Sequence, residues 1–125
     1  MDEYLGSVVA SDGSTVYSHR SSDGSVTRTD GQARPHNPDG PAKTCPDGYI
    51  EYLVEGEYHR LDGPAVSFPD GYQVWMISGV RSRLDGPAVT LPDGRVQFWV
   101  AGHRFNTEAE YWNYVTGVLG DRLAS

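Results

Sequence analysis

The chain repeats itself along its length. The tetrapeptide Asp-Gly-Pro-Ala occurs at residues 39–42, 62–65 and 85–88, at intervals of 23 residues. The tripeptide Pro-Asp-Gly recurs at the same interval at 46–48, 69–71 and 92–94, and so does a single glycine at 56, 79 and 102. Because no insertion interrupts this register, the pattern indicates tandem structural units that stack on one another.

Each unit is predicted to be built of short strands and turns. A β-prone stretch such as 65–68 (AVSF) leads into the Pro-Asp-Gly turn, whose proline presets φ and whose glycine accepts a positive φ. A longer strand, Tyr72 to Ile77 in the second unit, then ends at Ser78-Gly79, a signal for a tight hairpin. The predicted fold class is mainly β: an antiparallel meander of 23-residue hairpin repeats whose neighbours bury one another's apolar faces.

The repeats divide the chain into three parts of one predicted domain. Residues 34–105 hold three units, at about 34–56, 57–79 and 80–102. Residues 1–33 contain degenerate Asp-Gly turns and are expected either to pair as degenerate repeat hairpins or to remain mobile. Residues 106–125 are predicted to be a helix and tail, because Thr107 and Glu110 form a capping box at the start of an amphipathic pattern. That pattern, expected to seal one end of the array, comprises Tyr111, Trp112, Tyr114, Val115, Val118 and Leu119.

Comparison of the units separates a constant face from a variable face. On one face of the long strands, an aromatic and a β-branched residue recur two positions apart, which predicts cross-strand ladders in the core. These ladders comprise Tyr52 with Val54, Trp75 with Ile77, and Phe98 with Val100, and the short strands are expected to add Cys45, Val66, Phe68, Val89 and Leu91.

The opposite face does not keep its residue types, so we interpret it either as a contact surface or as a face covered by another element. Unmatched arginines extend this candidate surface, because arginine is favoured at protein interfaces. The candidate binding residues are Tyr49, Leu53, Tyr72, Val74, Met76, Arg81, Arg95, Trp99 and Arg104.

Charge and cysteine usage restrict the function. Seventeen acidic and ten basic residues give a net charge of -7, which disfavours direct binding of nucleic acid or of an anionic membrane surface. Cys45 is the single cysteine, so no intramolecular disulfide can form. The first residues lack the basic start of a signal peptide, and no apolar run is long enough to span a membrane. We therefore expect a soluble, cytoplasmic protein.

Groups that could carry chemistry have structural explanations. Asp39, Asp62 and Asp85, like Asp47, Asp70 and Asp93, precede glycines in turns, where a carboxylate caps backbone N–H groups. Arg60 and Arg83 flank two of these turns and are expected to contact an aspartate or a carbonyl of an adjacent unit. His36 and His59 are equivalent, but Ser82 interrupts their row. We expect no catalytic site, no metal site and no cofactor.

The unit RLDGPAVSFPDGYQVWMISGVRS resembles tandem repeats of bacteriophage and giant-virus proteins, and it is similar to a variant of the MORN repeat. The resemblance covers residues 34 to 105 and implies a MORN-like hairpin architecture and a viral origin. The Tyr-x-Gly-x-Trp core of typical MORN units is absent, so lipid binding does not carry over.

These observations predict a non-enzymatic protein-binding module, a small viral accessory protein that occludes a host protein in the host cytoplasm. One alternative is an acidic mimic of nucleic acid that occupies the basic groove of a nuclease or regulator. A second is sequestration of a small molecule in a concave pocket. An open sheet edge would also allow a homodimer by strand pairing.

Overall fold

The computed structural model describes residues 2–124, with side chains described to residue 118, and it consists of fourteen strands and one helix. The first three strands are β1 (Glu3–Val9), β2 (Thr15–Arg20) and β3 (Val26–Thr29). The next eight are β4 (Lys43–Thr44), β5 (Ile50–Glu51), β6 (Leu53–Val54), β7 (Glu57–Tyr58), β8 (Val66–Ser67), β9 (Gln73–Val74), β10 (Met76–Ile77) and β11 (Val80–Arg81). The chain ends with β12 (Val89–Thr90), β13 (Val96–Val100), β14 (His103–Phe105) and α1 (Glu108–Ala124).

Ten of the strands form one antiparallel sheet, in the order β1-β2-β3-β4-β5-β8-β9-β12-β13-β14. The hairpins β6–β7 and β10–β11 lie outside this order and form two small sheets of their own. The predicted fold class, a mainly β antiparallel meander with one C-terminal helix, is therefore confirmed.

The predicted long strands of the first and second units are each broken in the middle. Tyr52 separates β5 from β6, and Trp75 separates β9 from β10, because the backbone changes its pairing partner there. The Trp75 N–H donates to Ala88 O at 2.6 Å, whereas Met76 already pairs with Arg81 in the hairpin. The first and second units thus contribute strands to the main sheet and form separate hairpins after their central aromatic residues, whereas β13 of the third unit continues through Phe98 and pairs with β14.

The hairpins stack through their tight turns. Glu55-Gly56, Ser78-Gly79 and Ala101-Gly102 all have positive φ at both residues, the geometry of a type I′ turn. The glycine N–H of each turn donates to a carbonyl of the segment before it, with distances of 2.7–2.9 Å to Pro35, Tyr58 and Arg81. Backbone hydrogen bonds therefore connect successive hairpins.

Different elements close the two ends of the sheet. At the N-terminal end, β1, β2 and β3 pair in sequence, and β1 is an edge strand whose register shifts between Tyr4 and Gly6. At the other end, α1 begins where Thr107 Oγ1 accepts the Glu110 N–H at 3.2 Å. The helix buries Tyr111 and Val115 against Phe98. Trp112 and Tyr114 remain exposed, Val118 is half-buried, and Leu119 lies outside the described side chains.

The core differs in part from the predicted ladders. Phe98, Val66 and Val89 are buried as expected, but Val66 and Val89 pair with Val74 and therefore lie on the face that was predicted to be variable. Tyr52, Val54, Trp75, Val100, Cys45 and Leu91 are only half-buried. The prediction was wrong for Phe68 and Ile77, which are each 39% exposed. Ile77 lies in the separate hairpin β10–β11, and Phe68 lies beside a Pro-Asp-Gly turn, where it packs on Tyr49 and Tyr72.

Candidate functional site

The candidate contact surface is one face of the main sheet, and its middle is a row of directly paired residues. Opposite residues of antiparallel strands lie on the same face. Register places Glu51 opposite Val66, Val66 opposite Val74, Val74 opposite Val89, and Val89 opposite Gln97. We call these five residues the central row. Its valines are buried, whereas Glu51 and Gln97 at its two ends are half-buried.

A row of aromatic rings borders the central row on the side of the Pro-Asp-Gly turns. The Phe68 ring lies between those of Tyr49 and Tyr72, with centroid distances of 4.6 and 5.5 Å. We call these three residues the turn row. Two turns therefore bring together three aromatic rings, of which the middle one is exposed.

The hairpins supply the third row, which ends in a cluster of arginine and tryptophan. Met76 pairs with Arg81, and Trp99 pairs with Arg104, so these four side chains lie on one face. The Arg81 guanidinium lies over the Trp99 ring, 5.1 Å from its centroid, and the Trp99 Nε1–H donates to Gln97 Oε1 at 3.0 Å. We call Met76, Arg81, Trp99 and Arg104 the arginine–tryptophan cluster.

At one end of the central row, Tyr49 of the turn row is hydrogen-bonded to Glu51, close to Tyr58 of the first hairpin. The Tyr49 hydroxyl donates to Glu51 Oε1 at 2.7 Å. Burial, followed by this hydrogen bond and the negative charge of Glu51, raises the pKa of Tyr49. Burial and the same carboxylate also raise the pKa of Tyr58, which pairs with Leu53 in the first hairpin. Both phenols are thus held in the neutral form.

The structure corrects two of the nine candidate binding residues. Val74 is 2% exposed and Leu53 is 5% exposed, so the prediction that they form an exposed surface was wrong. They are buried because the turn row and the hairpins flank the central row from both sides. Arg95 and Arg104 are exposed, and the remaining candidates are half-buried: Tyr49, Tyr72, Met76, Arg81 and Trp99.

The opposite face carries the central aromatic residues of the three units, and another side chain packs on each of these rings. The Arg60 guanidinium lies 4.0 Å from the centroid of the Tyr52 ring, and that of Arg83 lies 3.8 Å from the centroid of the Trp75 ring. The equivalent position in the third unit is Asn106, and Tyr111 of α1 packs on Phe98 instead, with ring centroids 4.7 Å apart. Sequence reasoning missed this arrangement, although the constant spacing between each arginine and its aromatic residue was a usable signal.

The positions of these arginines explain why residues 63 and 86 are glycines. A Cβ at Gly63 would lie 2.5 Å from Arg60 Cζ, and one at Gly86 would lie 2.9 Å from Arg83 Cζ. Each arginine also donates from Nε to the aspartate two residues later and from Nη1 to the proline carbonyl four residues later. The expected aspartate and carbonyl contacts are therefore present, but they lie within the arginine's own loop, so their predicted placement between adjacent units was wrong.

The carboxylates after the prolines act as turn caps. Asp47, Asp70 and Asp93 each accept the backbone N–H two residues later at 3.0 Å. For Asp93, the backbone hydrogen bond from Arg95 is the main cause of a lowered pKa. Asp39 has a different role, because it accepts the N–H and the hydroxyl of Ser11 and ties the loop to the N-terminal hairpin.

The two equivalent histidines cap hairpin turns. His36 Nδ1 accepts the Glu55 N–H at 2.9 Å, His59 Nδ1 accepts the Ser78 N–H at 3.0 Å, and Ser82 Oγ accepts the Ala101 N–H at 3.0 Å. Ser82 thus caps its hairpin turn with a hydroxyl, as the two histidines cap theirs with Nδ1. The same hydrogen bond is therefore present in all three units, although the histidine is not.

One of these histidines also contacts a serine, which is itself hydrogen-bonded to an aspartate, in an arrangement that does not activate the serine. His36 is 1% exposed, and its Nε2 lies 2.9 Å from Ser14 Oγ, which donates to Asp12 Oδ1 at 2.5 Å. Because Nδ1 accepts a backbone N–H, the proton of the neutral imidazole is on Nε2 and is donated to the serine. A general base would have to accept the serine proton instead.

No three His, Cys, Asp or Glu side chains cluster as potential metal ligands among the residues whose side chains are described. Within residues 2–124, α1 is not apolar enough to cross a membrane. Comparison with protein-family models, curated proteins and solved structures finds no match to the chain.

Proposed function

We propose that the chain is a non-enzymatic protein-binding module that contacts its partner through the arginine–tryptophan cluster and the turn row on the same face. The observation that carries the proposal is the cluster itself, where Arg81 stacks on Trp99 and Arg104 lies opposite that ring. Tryptophan, tyrosine and arginine are the residues that contribute most to protein interfaces. A planar guanidinium held on an aromatic ring is ordered before binding, so less side-chain entropy is lost on association.

The resemblance of the repeats to those of bacteriophage and giant-virus proteins makes a host protein the proposed partner. The mechanism would be occlusion of one surface of that protein. The direction of the Ser14–His36 hydrogen bond supports a role without catalysis, because the serine is not activated there.

The experiment is affinity capture from a lysate of the organism in which the protein acts, using the tagged full chain. Trp99→Ala removes the ring under Arg81, and Arg104→Glu reverses a charge at an exposed position. Trp112→Ala is the matched control, because this tryptophan lies on α1 and is exposed away from the cluster. Circular dichroism of each variant checks that the fold is retained.

We expect one protein to be retained by the wild type and by Trp112→Ala, and lost from Trp99→Ala and Arg104→Glu. Retention should persist at about 0.5 M salt, since an aromatic contact is screened less than a purely ionic one. Equal retention by all four proteins would contradict the proposed surface. Release by salt alone would favour the nucleic-acid mimic.

A further inference from the structure

The outer strand β1 has an open backbone edge. It is the first strand in the order of the main sheet, and β2 is its only neighbour among residues 2–124. The Ala10 N–H donates to Ser14 O at 2.8 Å where the hairpin β1–β2 closes, so Ala10 belongs to a hydrogen-bonded pair. Hydrogen-bonded and non-hydrogen-bonded pairs alternate along an antiparallel ladder. Ser7 and Val9 therefore direct their N–H and C=O groups away from β2.

The side chains of β1 are exposed on both faces of the sheet. Val8 and Val9 are neighbours and therefore lie on opposite faces, yet they are 65% and 73% exposed. Tyr4 and Leu5 are exposed as well, whereas Val16, which pairs with Val8, is buried. Exposed apolar side chains along an open backbone edge are typical of a strand that pairs with another chain.

This edge has little protection against such pairing. Edge strands are commonly protected by lysine, by proline or by a bulge. The sequence of β1, EYLGSVV, contains neither lysine nor proline, and its single charge, on Glu3, is paired with Arg20 at 2.9 Å. The register shift between Tyr4 and Gly6 is a protective irregularity, but it leaves residues 6–9 regular and uncharged. We call the outer side of residues 6–9 the free edge.

We infer that the free edge binds β1 of a second copy of the chain, in an antiparallel pair with a two-fold axis at Ser7. The two Ser7 residues then form a hydrogen-bonded pair and exchange both of their backbone hydrogen bonds. The main sheet would continue from one copy into the other. The free edge lies at the opposite end of this sheet from β13 and β14, which carry Trp99 and Arg104, so the inference does not depend on the proposed function.

A second copy fits the free edge because the sequence around Ser7 is complementary to itself. With the axis at this residue, Val8 of each copy lies opposite Gly6 of the other, which has no side chain to obstruct it. Val9 lies opposite Leu5 and beside Tyr4, which shares its face, so apolar groups cover each other. Each contact occurs twice because of the symmetry, as in most homodimers.

The charge of the chain predicts how salt affects this pairing. Two copies, each with a net charge of -7, repel one another, whereas the residues of the free edge are uncharged. Salt screens the repulsion and leaves the backbone and apolar contacts in place. The dimer should therefore be tighter at about 0.5 M than at about 0.05 M salt, the reverse of an ionic contact.

Sedimentation velocity of the full chain tests the inference. The chain would be measured from about 5 µM to about 1 mM, because a pair of single strands buries little surface and binds weakly. We expect the mass to rise from that of one chain, 13.7 kDa, towards twice that value. It should rise no further, since a two-fold pair occupies the free edge of both copies. Continued growth beyond two copies would contradict the two-fold arrangement.

Two variants assign the interface to the free edge. Ser7→Pro removes an N–H that faces away from β2, a change that an edge strand tolerates, so circular dichroism should show an intact fold. The dimer loses two symmetry-related hydrogen bonds and should weaken at least about tenfold. Val8→Glu should also weaken it, by placing a carboxylate opposite Gly6. Val96→Glu is the matched control, because it makes the same charge change at an exposed valine of β13 and should leave the dimer as tight as in the wild type within about twofold.

A chain that stays monomeric at about 1 mM would overturn the inference, and so would a dimer that Ser7→Pro leaves unchanged. Loss of a captured partner protein on Ser7→Pro, in a chain that is itself monomeric, would also overturn it, since the free edge would then bind a strand of another protein. Trp99→Ala should leave the dimer unchanged. Loss of the dimer in that variant would place the interface at the arginine–tryptophan cluster and contradict the inference.

Discussion

Replacement of Tyr111 by phenylalanine tests how α1 closes the array. The side chain is fully buried, and its hydroxyl contacts the loop 83–87 at three backbone atoms. The hydroxyl has one proton, so it donates to either Arg83 O or Gly86 O at a given moment while it accepts the Gly86 N–H. Tyr111→Phe keeps the ring on Phe98 and removes only these bonds.

The expected cost is set by the groups left behind. A buried N–H without a partner costs about 1–3 kcal/mol, and a lost carbonyl contact adds to it within that range. With a urea m-value of roughly 2 kcal/mol/M, this corresponds to a midpoint lowered by about 0.5–1.5 M. The m-value itself should not change, because the same surface is exposed on unfolding.

Urea denaturation followed by tryptophan fluorescence measures this difference. Tyr114→Phe is the matched control, because Tyr114 is exposed on the same helix and should change the stability by less than about 0.5 kcal/mol. If Tyr111→Phe were as neutral as the control, the hydroxyl would not anchor the helix.

Three further predictions follow from side chains with defined partners. His36→Ala should lower the free energy of unfolding by about 1–3 kcal/mol, because it leaves the Glu55 N–H without its hydrogen-bond partner. Ser82→Ala should lower it by less, because the N–H that Ser82 accepts is exposed to solvent, and urea midpoints of the two variants test the difference. Arg83→Lys should cost about 1 kcal/mol through loss of planar stacking, and an unchanged thermal midpoint would contradict the stacking geometry. The raised pKa values of Tyr49 and Tyr58 predict a contribution of these phenols to stability that is constant below pH 10 and falls above it, because the unfolded phenols ionise first; urea midpoints that stay constant from pH 9 to pH 11 would contradict this.

The turns and strand directions could be predicted from the sequence because local residue chemistry determines them. The glycine-containing hairpin turns have the positive φ values that their residues indicate. Asp47, Asp70 and Asp93 accept backbone N–H groups two residues later, as their position before glycine indicates. Asp39, Asp62 and Asp85 do not: they accept from Ser11, Arg60 and Arg83. The capping residue Thr107 marks the start of α1.

The breaks within the long strands of the first and second units could not be predicted from the sequence alternation. Tyr52 and Trp75 lie inside runs that read as continuous strands, and only the competition between two pairing partners ends them. Val74 is buried between Val66 and Val89 in the main sheet, whereas Phe68, beside a turn, is exposed. The alternation of side chains along a strand assigns residues to opposite faces of the sheet, but it does not predict which face the neighbouring hairpins will bury.

The side chain that packs on each central aromatic ring could have been predicted from the sequence. Arg60 and Arg83 follow their aromatic residues at the same spacing, and Asn106 breaks the series where α1 begins. The missing arginine is a signal that another group must cover Phe98. Long side chains such as arginine reach ring faces several residues away, so strand periodicity alone does not reveal the contact.

The most direct test of the proposed function is the salt dependence of binding to the partner recovered by capture. The affinity of the wild type would be measured by titration calorimetry from about 0.05 to 0.5 M salt, with Trp112→Ala as the folded control. A contact made by the arginine–tryptophan cluster predicts a change of less than about tenfold over this range. A loss of about a thousandfold or more, as for displacement of several phosphate contacts, would contradict it and favour mimicry of nucleic acid.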